Sequence, residues 1–357
     1  MILGSQVAGR SRVDTAQPRS LYWSPTVEKG QGLKLGLDTY SYRHAVGLWD
    51  YAPQSNPPMT VEHLLHKAAE LNLDGVQLAD PRHLDSFEYG HISALRQMAD
   101  SLGLYIELGT SGLNPEHLQT MVRAAHVLGA SLVRTYVGQP RPHSVQAMEQ
   151  LIAEAAAQLR ETLPICERYG VTLALENHQD LTADELLSLL ELLDHRWIGV
   201  CFDTGNPLAL LEDPLEAAYA FAPLIRSVHL KDYKVIADRD GFSLLGCTLG
   251  EGIVDLQAII DLLRVEAPDA TVNIEVFIGD QPVPALKDEY LATLPEATAR
   301  SLGRTLRLVR DCGLPRQPDS VVESERTEED ILSAEEDFVA RSVAWAQHAS
   351  GRAPSEQ

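Results

Sequence analysis

An α/β fold, and within that class a (β/α)8 (TIM) barrel, is what this sequence of 357 residues predicts. Three observations point to it. Short β-rich runs alternate with helical segments eight times, which is the pattern of βα units around a parallel sheet. The eight units span roughly 280 residues, the size of such a barrel. Finally, bulky apolar residues alternate with small or polar ones inside the later runs.

This alternation separates a closed barrel from an open, doubly wound sheet. In the run 171–176 the odd positions are bulky and aliphatic, whereas the even positions are threonine, alanine and glutamate. Successive side chains of a strand point to opposite faces. Helices cover both faces of an open α/β sheet, so both should be apolar. No G-x-G-x-x-G turn follows the first run either. We therefore expect a barrel whose interior is polar at its mouth.

The predicted strands follow one another at intervals that leave room for a helix after each. They cover residues 34–40, 75–79, 104–109, 132–137, 171–177, 198–203, 226–231 and 272–277. Several helix starts carry side chains that accept a hydrogen bond from the first turn. Thr60 and Thr182 are two such residues, and Asn114 and Asp213 each precede a proline at the first helical position.

The two ends of the chain differ in composition from the barrel region. Residues 1–32 show no periodicity, and we expect an N-terminal arm there, followed by a barrel domain over residues 33–316. Residues 317–357 are acidic and carry apolar residues at helical spacing. We expect a helical C-terminal extension that packs on the body or on a partner subunit.

Charge and cysteine usage exclude several classes of protein. The chain has 29 Lys and Arg against 51 Asp and Glu, a net charge of −22. Such a surface repels phosphate backbones and anionic lipid, so we expect no nucleic-acid and no membrane partner. The four cysteines form no C-x-x-C pair, as in reduced intracellular proteins. With no signal peptide and no stretch of about 18 apolar residues, we expect a cytoplasmic protein.

The last inward-facing residue of each predicted strand is polar in most cases. Barrel enzymes carry their active sites at this end of the strands. In chain order these residues are Asp38 or Tyr40, Gln77, Glu107, Arg134 with Tyr136, Glu176, Asp203, His229 with Lys231, and Glu275.

The last four strands supply three carboxylates and one imidazole: Glu176, Asp203, His229 and Glu275. Three carboxylates in one low-dielectric interior repel one another unless a cation or protons compensate. One divalent ion would do so, and this oxygen-rich set suits Mn²⁺, Mg²⁺ or Co²⁺ better than structural zinc. The alternative to a metal site is that these four residues are ordinary polar residues at strand ends, exposed to water beside the loops.

Five short strings carry a resemblance to a known family. They are LENHQ at 175–179, FDTGN at 202–206, VHLKD at 228–232, NIEV at 273–276, and LGEG at 249–252 with Asp255. Over about 33–315 the chain resembles the xylose-isomerase-like sugar isomerase and epimerase barrels. The resemblance implies that Glu176, Asp203, His229 and Glu275 bind one divalent ion, with Mn²⁺ as first choice and Mg²⁺ or Co²⁺ as alternatives. In ketose 3-epimerases of the family the two glutamates are also catalytic, as acid and base.

This implied site suits the chemistry of a ketose. A metal that chelates the carbonyl and a neighbouring hydroxyl stabilises an enediolate. Glu176 and Glu275 could then address opposite faces of the carbon, one removing a proton and the other returning one. The sequence therefore predicts a metal-dependent isomerase or epimerase that acts on a ketose or a related keto-sugar.

Two departures from the ketose 3-epimerases keep a second reaction open. Asn206 stands where those enzymes commonly have a histidine, and Lys231 stands in the neighbourhood of their arginine. The chain is in this respect more similar to inosose dehydratases and to lyases of 3-oxo-sugars. The alternative function is therefore a metal-dependent lyase or dehydratase that eliminates a group β to the ketone.

Further polar and aromatic residues near the predicted mouth are candidate substrate contacts. Lys231 could instead form a local ion pair with Asp232. Arg134 and Glu107 are expected to form a buried ion pair. Trp23, Trp49 and Trp197 are expected to serve packing. The candidate substrate-binding residues are Lys231, His178, Asn206, Arg134, Glu107 and Tyr40.

Two other classes fit the sequence less well. DNA-repair endonucleases on this barrel need several additional histidines and a basic groove, whereas strands two and three here end without histidine. A non-catalytic sugar-binding protein would be expected to have lost a metal ligand or a glutamate. The expected partner is thus a small-molecule sugar substrate, and a homo-oligomer formed through the C-terminal helix stays open.

Overall fold

A computed structural model describes residues 32–49, 55, 57–294, 299–314 and 327–352. Apart from Gly32, the expected N-terminal arm lies outside the described residues, and so does Trp23. The barrel strands are β1 (Lys34–Asp38), β2 (Gly75–Leu78), β3 (Tyr105–Gly109), β4 (Leu132–Thr135), β5 (Thr172–Glu176), β6 (Ile198–Asp203), β7 (Ile225–Leu230) and β10 (Thr271–Ile274). They are parallel and close in the order β1-β10-β7-β6-β5-β4-β3-β2. The predicted (β/α)8 barrel is confirmed.

A second, smaller sheet is built from insertions in the last two βα units. It is antiparallel and has the order β11-β9-β8. Its strands are β8 (Tyr233–Asp238), β9 (Gly241–Gly246) and β11 (Asp280–Val283). Since β8 and β11 follow the C-terminal ends of β7 and β10, this sheet stands beside the barrel mouth.

The described part of the chain has twelve α-helices, most of which cover the outside of the barrel strands. They are α1 (Arg43–Val46), α2 (Val61–Glu70), α3 (Tyr89–Leu102), α4 (Pro115–Leu128), α5 (Val145–Tyr169), α6 (Ala183–Leu193), α7 (Asn206–Ala209), α8 (Pro214–Phe221), α9 (Leu256–Glu266), α10 (Asp288–Leu291), α11 (Ala299–Cys312) and α12 (Glu328–Ala349), with 3₁₀ turns at Thr39–Tyr42, Pro81–Leu84 and Ala222–Leu224. The predicted N-caps Thr60, Asn114, Thr182 and Asp213 all accept a backbone N–H of the first turn. None of the described helices is both long and apolar enough to span a bilayer.

The two faces of the strands contact different surroundings, as the parity predicts. Ala174 and Cys201 face inward and pack with Leu132 in a small apolar cluster inside the barrel. Their strand neighbours Leu173 and Val200 belong to the main core between the strands and the helices. The inward positions that follow Ala174 and Cys201 are therefore directed toward the barrel mouth.

Tyr105 fills the N-terminal part of the barrel interior. Its ring takes the space that two glycines leave free, since a Cβ on Gly36 would lie 2.1 Å from the Tyr105 hydroxyl oxygen and one on Gly75 would lie 2.3 Å from the ring. The hydroxyl donates a hydrogen bond to Asn273 Oδ1 at 2.8 Å. This aromatic plug leaves the C-terminal end as the open end of the barrel.

The C-terminal helix α12 occupies the place of the eighth barrel helix, between α9 and α2. Arg264 of α9 donates to the carbonyl oxygen of Ala349 at 2.6 Å, and Gln347 donates to that of Leu71 at 2.8 Å. Apolar side chains of the helix join the main core, namely Val339, Val343, Ala346 and Ala349. The helix that the sequence assigns to an extension thus completes the helical layer of the barrel.

Candidate metal centre

Four buried side chains meet at the C-terminal end of the barrel. Glu176 ends β5, Asp203 ends β6, His229 lies near the end of β7, and Glu275 directly follows β10. One potential ligand atom from each residue lies within 4.8 Å of those of the other three. The structure therefore brings together the four residues that the sequence singles out, because parallel strands in register carry their last inward side chains to one place.

Four buried atoms of this cluster fit a cation. Each cluster residue contributes one atom that makes no hydrogen bond within the described part of the chain and lies only within ion-pair distance of charged neighbours: Glu176 Oε2, Asp203 Oδ2, His229 Nδ1 and Glu275 Oε2. Leaving buried polar atoms unsatisfied costs about 1–3 kcal/mol each, and more for charged groups. His229 Nδ1 lies 2.5 Å from Glu275 Oε2 and 3.6 Å from Glu176 Oε1. One divalent ion among these atoms would satisfy all four, and three carboxylates with one imidazole are a suitable donor set for it.

A buried ammonium group contacts two members of the cluster. Lys231 Nζ lies 2.8 Å from Asp203 Oδ2 and 2.7 Å from Glu275 Oε1. Burial opposes ionisation of Glu275, but Lys231 and His229 outweigh it and lower the pKa of Glu275 to about 2. The local pair of Lys231 with Asp232 does not form. The Asp232 carboxylate instead accepts the backbone N–H groups of Tyr233, Gly250, Gly252 and Val254.

The expected pair of Arg134 with Glu107 is wrong. Arg134 Nε lies 3.2 Å from Glu176 Oε2, and its Nη1 donates to the carbonyl oxygen of Thr110 at 3.0 Å. Although burial opposes ionisation of Glu176, this guanidinium holds the pKa of Glu176 well below its ordinary value. The last inward position of β3 is Gly109, so Glu107 lies one layer deeper in the interior. It does not line the cavity described below.

Asp38 and Tyr40, the two candidates at the end of β1, take different roles. The Asp38 carboxylate accepts the backbone N–H of Tyr40 at 2.7 Å and thereby caps the 3₁₀ turn Thr39–Tyr42. Its other oxygen lies 3.9 Å from His229 Nε2. Burial and the charge of Glu275 raise the pKa of Asp38 to about 7. Asp38 therefore lies beside the cluster, near His229, whereas Tyr40 is part of the cavity wall.

A cavity of about 900 Å³ opens beside the cluster. Tyr40 packs edge-on against Trp49 with 5.1 Å between ring centroids, and Tyr136 stacks on His178 at 3.9 Å. Trp49 is thus part of the wall, although the sequence suggests a packing role. Every barrel strand is followed by a residue that lines this cavity, in chain order Tyr40, Ala79, Thr110, Tyr136, His178, Asn206, Lys231 and Phe277.

Two glutamines that the sequence does not single out complete one side of the cavity. Gln179 Nε2 donates to Asn206 Oδ1 at 2.9 Å, and Gln281 of β11 donates to Gln179 Oε1 at 2.6 Å. Asn206 in turn donates to Glu176 Oε1 at 3.3 Å. The position of Gln179, in the loop after β5, marks it as a mouth residue. For Gln281 no sequence pattern signals that the small sheet approaches the mouth.

Comparison with known proteins agrees with this architecture. Residues 65–297 match the family model described as xylose isomerase-like TIM barrel. The 3-oxo-isoapionate decarboxylase of Pectobacterium atrosepticum is 29% identical over 234 residues, which are 65% of this chain and 81% of that protein. The inosose dehydratase of Geobacillus kaustophilus is 34% identical over 79 residues, only 21% of this chain and 26% of that protein.

Among solved structures, a D-tagatose 3-epimerase-like protein superposes with a TM-score of 0.53. The superposition covers 78% of this chain and 99% of that chain, at 17% sequence identity. At this identity the likeness concerns the fold alone.

Proposed function

The chain belongs to the xylose isomerase-like TIM-barrel family, and from that membership we propose that it is a divalent-metal-dependent lyase of a 3-oxo-sugar acid. In the proposed reaction a bond to the carbon beside the ketone breaks, and carbon dioxide is the leaving group. The relative that aligns with 65% of this chain, at 29% identity, is named as a decarboxylase of such a compound. The proposed reaction is thus of the lyase class, as in the sequence-based alternative, but it releases carbon dioxide, whereas that alternative is an elimination β to the ketone.

The charge balance of the site is the observation that carries this proposal. The carboxylates of Glu176, Asp203 and Glu275 face two buried cations, Lys231 and Arg134, at 2.7–3.2 Å. Among these contacting groups the carboxylates exceed the cations by one negative charge, and a divalent ion would turn this excess into one positive charge. Asp38, whose pKa burial raises to about 7, is counted as neutral, and the charge of Glu107 is met by four hydrogen-bond donors one layer deeper. A neutral ketose would leave that charge uncompensated in a buried site, whereas a substrate carboxylate balances it.

Each part of the site has a task in this reaction. When bound to Glu176, Asp203, His229 and Glu275, a divalent cation supplies Lewis acidity that stabilises negative charge on the ketone oxygen. Lys231 lines the cavity between Asp203 and Glu275, where its ammonium group can hold a substrate oxygen. The electron pair of the broken carbon–carbon bond stays on the substrate as carbon dioxide leaves. The carbon then takes up one proton. Because Glu275 and Glu176 have lowered pKa values and are ionised, the Lys231 ammonium group, which lines the cavity 2.7 Å from Glu275 Oε1, is the side chain that can supply it.

An isomerase or epimerase is the second candidate, because the site retains two glutamates on different sides. Glu176 and Glu275 stand at the two ends of a run of four neighbouring strands, β5, β6, β7 and β10. From these positions one carboxylate can remove a proton while the other returns one to the opposite face. This exchange needs no carboxylate on the substrate.

The two candidates are distinguished by product analysis in D₂O. The purified protein is loaded in turn with Mn²⁺, Mg²⁺, Co²⁺ or Zn²⁺ and incubated with 3-oxo-sugar acids, inososes and ketoses. Release of carbon dioxide supports the lyase. Deuterium in recovered ketose or in its epimer, without carbon dioxide, supports the second candidate, and a new ultraviolet enone band indicates dehydration.

Two variants make the assay specific to the cluster. Asp203→Asn removes one anionic ligand and should abolish both metal binding and turnover. Thr162→Val, buried in α5 away from the cavity, is the control and should leave both unchanged. If no metal supports turnover of any of the three substrate classes, both proposed reactions are wrong.

A further inference from the structure

Glu107 is a buried carboxylate that takes no part in the reaction proposed above. It is 2% exposed and accepts four hydrogen bonds from side chains that surround it. Gln77 Nε2, Asn273 Nδ2 and Ser227 Oγ donate to its Oε2 at 2.8, 3.0 and 3.1 Å. Thr271 Oγ1 donates to its Oε1 at 2.6 Å. With four donors directed at it, Glu107 is the common acceptor of an extended network inside the barrel.

This acceptor determines the direction of the hydrogen bonds around it. An ionised carboxylate only accepts, so the two neighbouring amides must turn their NH₂ groups toward it. Asn273 is oriented independently, because its Oδ1 accepts the Tyr105 hydroxyl at 2.8 Å. Gln77 donates through Nε2 to Glu107 and therefore points Oε1 the opposite way.

The Gln77 oxygen lies 2.6 Å from Nε2 of His229. Since an amide oxygen only accepts, Nε2 of His229 must carry a hydrogen. The other ring nitrogen, Nδ1, is the one that lies 2.5 Å from Glu275 Oε2 and 3.6 Å from Glu176 Oε1. In the neutral ring Nδ1 therefore carries the lone pair, so a cation that enters the cluster displaces only a hydrogen that Nδ1 shares with Glu275.

We propose that Glu107 and Gln77 are positioning residues that keep the hydrogen of His229 on Nε2 and so present Nδ1 to the metal. This inference rests on the proposed metal centre for its consequence, although the hydrogen position itself is a property of the metal-free protein. Partners that orient a ligand histidine typically contribute 10–100-fold to metal affinity. Glu107 acts on the ion through two successive hydrogen bonds without approaching it.

Exchanging the two polar groups tests the direction of the network. In Glu107→Gln the new amide can offer its NH₂ to Gln77, which then turns its own oxygen inward and its NH₂ toward His229. Nε2 would have to accept, the hydrogen would move to Nδ1, and we expect Mn²⁺ affinity to fall about 10-fold or more. In the double variant Gln77→Glu with Glu107→Gln, the carboxylate at position 77 accepts from His229 Nε2, and the amide at position 107 donates to that carboxylate. We expect the Mn²⁺ affinity of the double variant to return close to that of the wild type.

The measurements are calorimetric titration with Mn²⁺ and ¹⁵N NMR of the histidine rings, with the His229→Asn spectrum identifying the signals. The NMR is recorded on the metal-free and on the diamagnetic Zn²⁺-loaded protein. The control is Thr135→Val, which removes a buried hydrogen bond to the Gly112 carbonyl oxygen at 2.7 Å outside this network. It should leave Mn²⁺ affinity unchanged.

The outcomes separate this inference from the proposed function. A wild-type protein that binds no divalent metal contradicts the proposed function. The positioning role is overturned by a bare Nε2 on His229 in the metal-free wild type. It is also overturned if folded Glu107→Gln binds Mn²⁺ as tightly as the wild type, or if the double variant binds no better than the single ones.

Discussion

Glu335 of α12 offers a pH-dependent test of how the eighth helix is held on the barrel. Its carboxylate accepts the backbone N–H groups of His44 at 2.9 Å and Ala45 at 3.0 Å, and it is 1% exposed. Burial raises the pKa of Glu335 from 4.5 to about 7, against the opposing effect of the two N–H donors and of Arg43. A neutral Glu335 is therefore the form that the folded protein favours.

The sign of the effect follows from this raised pKa. The stability that Glu335 contributes is complete below about pH 4.5 and is lost as the pH rises through about 7. Between about pH 5.5 and 8.5 the loss amounts to about 2 kcal/mol, at 1.36 kcal/mol per pKa unit. Glu335→Gln keeps one oxygen acceptor but cannot ionise, so its free energy of unfolding should lack this part of the pH dependence.

The assay compares the free energy of unfolding of wild type and Glu335→Gln, by denaturant titration across this pH range. Asp38 and Glu212, whose pKa values burial also raises to about 7, are present in both proteins and cancel in the difference. Glu329→Gln, at an exposed position of the same helix, is the matched control and should follow the wild type. The reasoning is refuted if the free energy of unfolding of wild type and of Glu335→Gln changes with pH by the same amount, within about 0.5 kcal/mol.

Three further predictions concern the cluster and the barrel interior. Glu275→Gln should lower kcat by about 10²–10⁴ without changing the circular dichroism spectrum; activity above about a tenth of wild type would argue against its role as metal ligand and base. Lys231→Met leaves Asp203 and Glu275 without their ammonium partner, and should cost the metal-free protein about 3–5 kcal/mol. Added Mn²⁺ should restore most of this loss in thermal unfolding, and a variant as stable as wild type without metal would contradict the assignment. Gly36→Ala places a Cβ 2.1 Å from the Tyr105 hydroxyl oxygen and should cost about 1–3 kcal/mol in denaturant titration; Tyr105→Phe in the same background should recover part of it, and no loss would show that the interior adjusts.

The barrel and the convergence of its polar residues were predictable because strand parity is a local property. Alternation alone places Ala174 and Cys201 inside and Leu173 and Val200 outside, as the structure has them. Once the strands are parallel and in register, their last inward residues have to meet at one end. The grouping of the four candidate ligands required no knowledge of long-range contacts beyond this rule.

Hydrogen-bond partners inside the barrel were not predictable by the same rule, because parity gives the face of a side chain but not its depth. Glu107 shares the inward face with Arg134, yet β3 continues to Gly109, so the carboxylate lies below the guanidinium. Arg134 therefore pairs with Glu176 of the adjacent strand. The glycine at the strand end is the signal in the sequence that could have indicated this layering.

The place of α12 was not predictable because periodicity shows that a helix has an apolar face but not which surface it covers. The segment between β10 and α12 contains β11, α10 and α11, so chain proximity does not favour the closing position over others. Glu335 also breaks the pattern, since it is a charged residue on the buried side of the helix. Its role becomes visible only with the N–H groups of His44 and Ala45 beside it.

The Tyr40 side of the cavity wall and the four candidate metal ligands are held in place by different parts of the fold. Tyr40 reaches the wall from a 3₁₀ turn that Asp38 caps at one end, while the helix that follows is held by Glu335. The cluster side chains stand on or directly after barrel strands, which parallel neighbours fix by backbone hydrogen bonds. Loosening α12 should therefore move the Tyr40 side of the cavity wall before it disturbs the four cluster side chains. If the proposed metal centre and substrate cavity hold, changes at Glu335 should act on substrate affinity, whereas changes at Glu107 should act on metal affinity, which substrate and Mn²⁺ titrations of the two variants would distinguish.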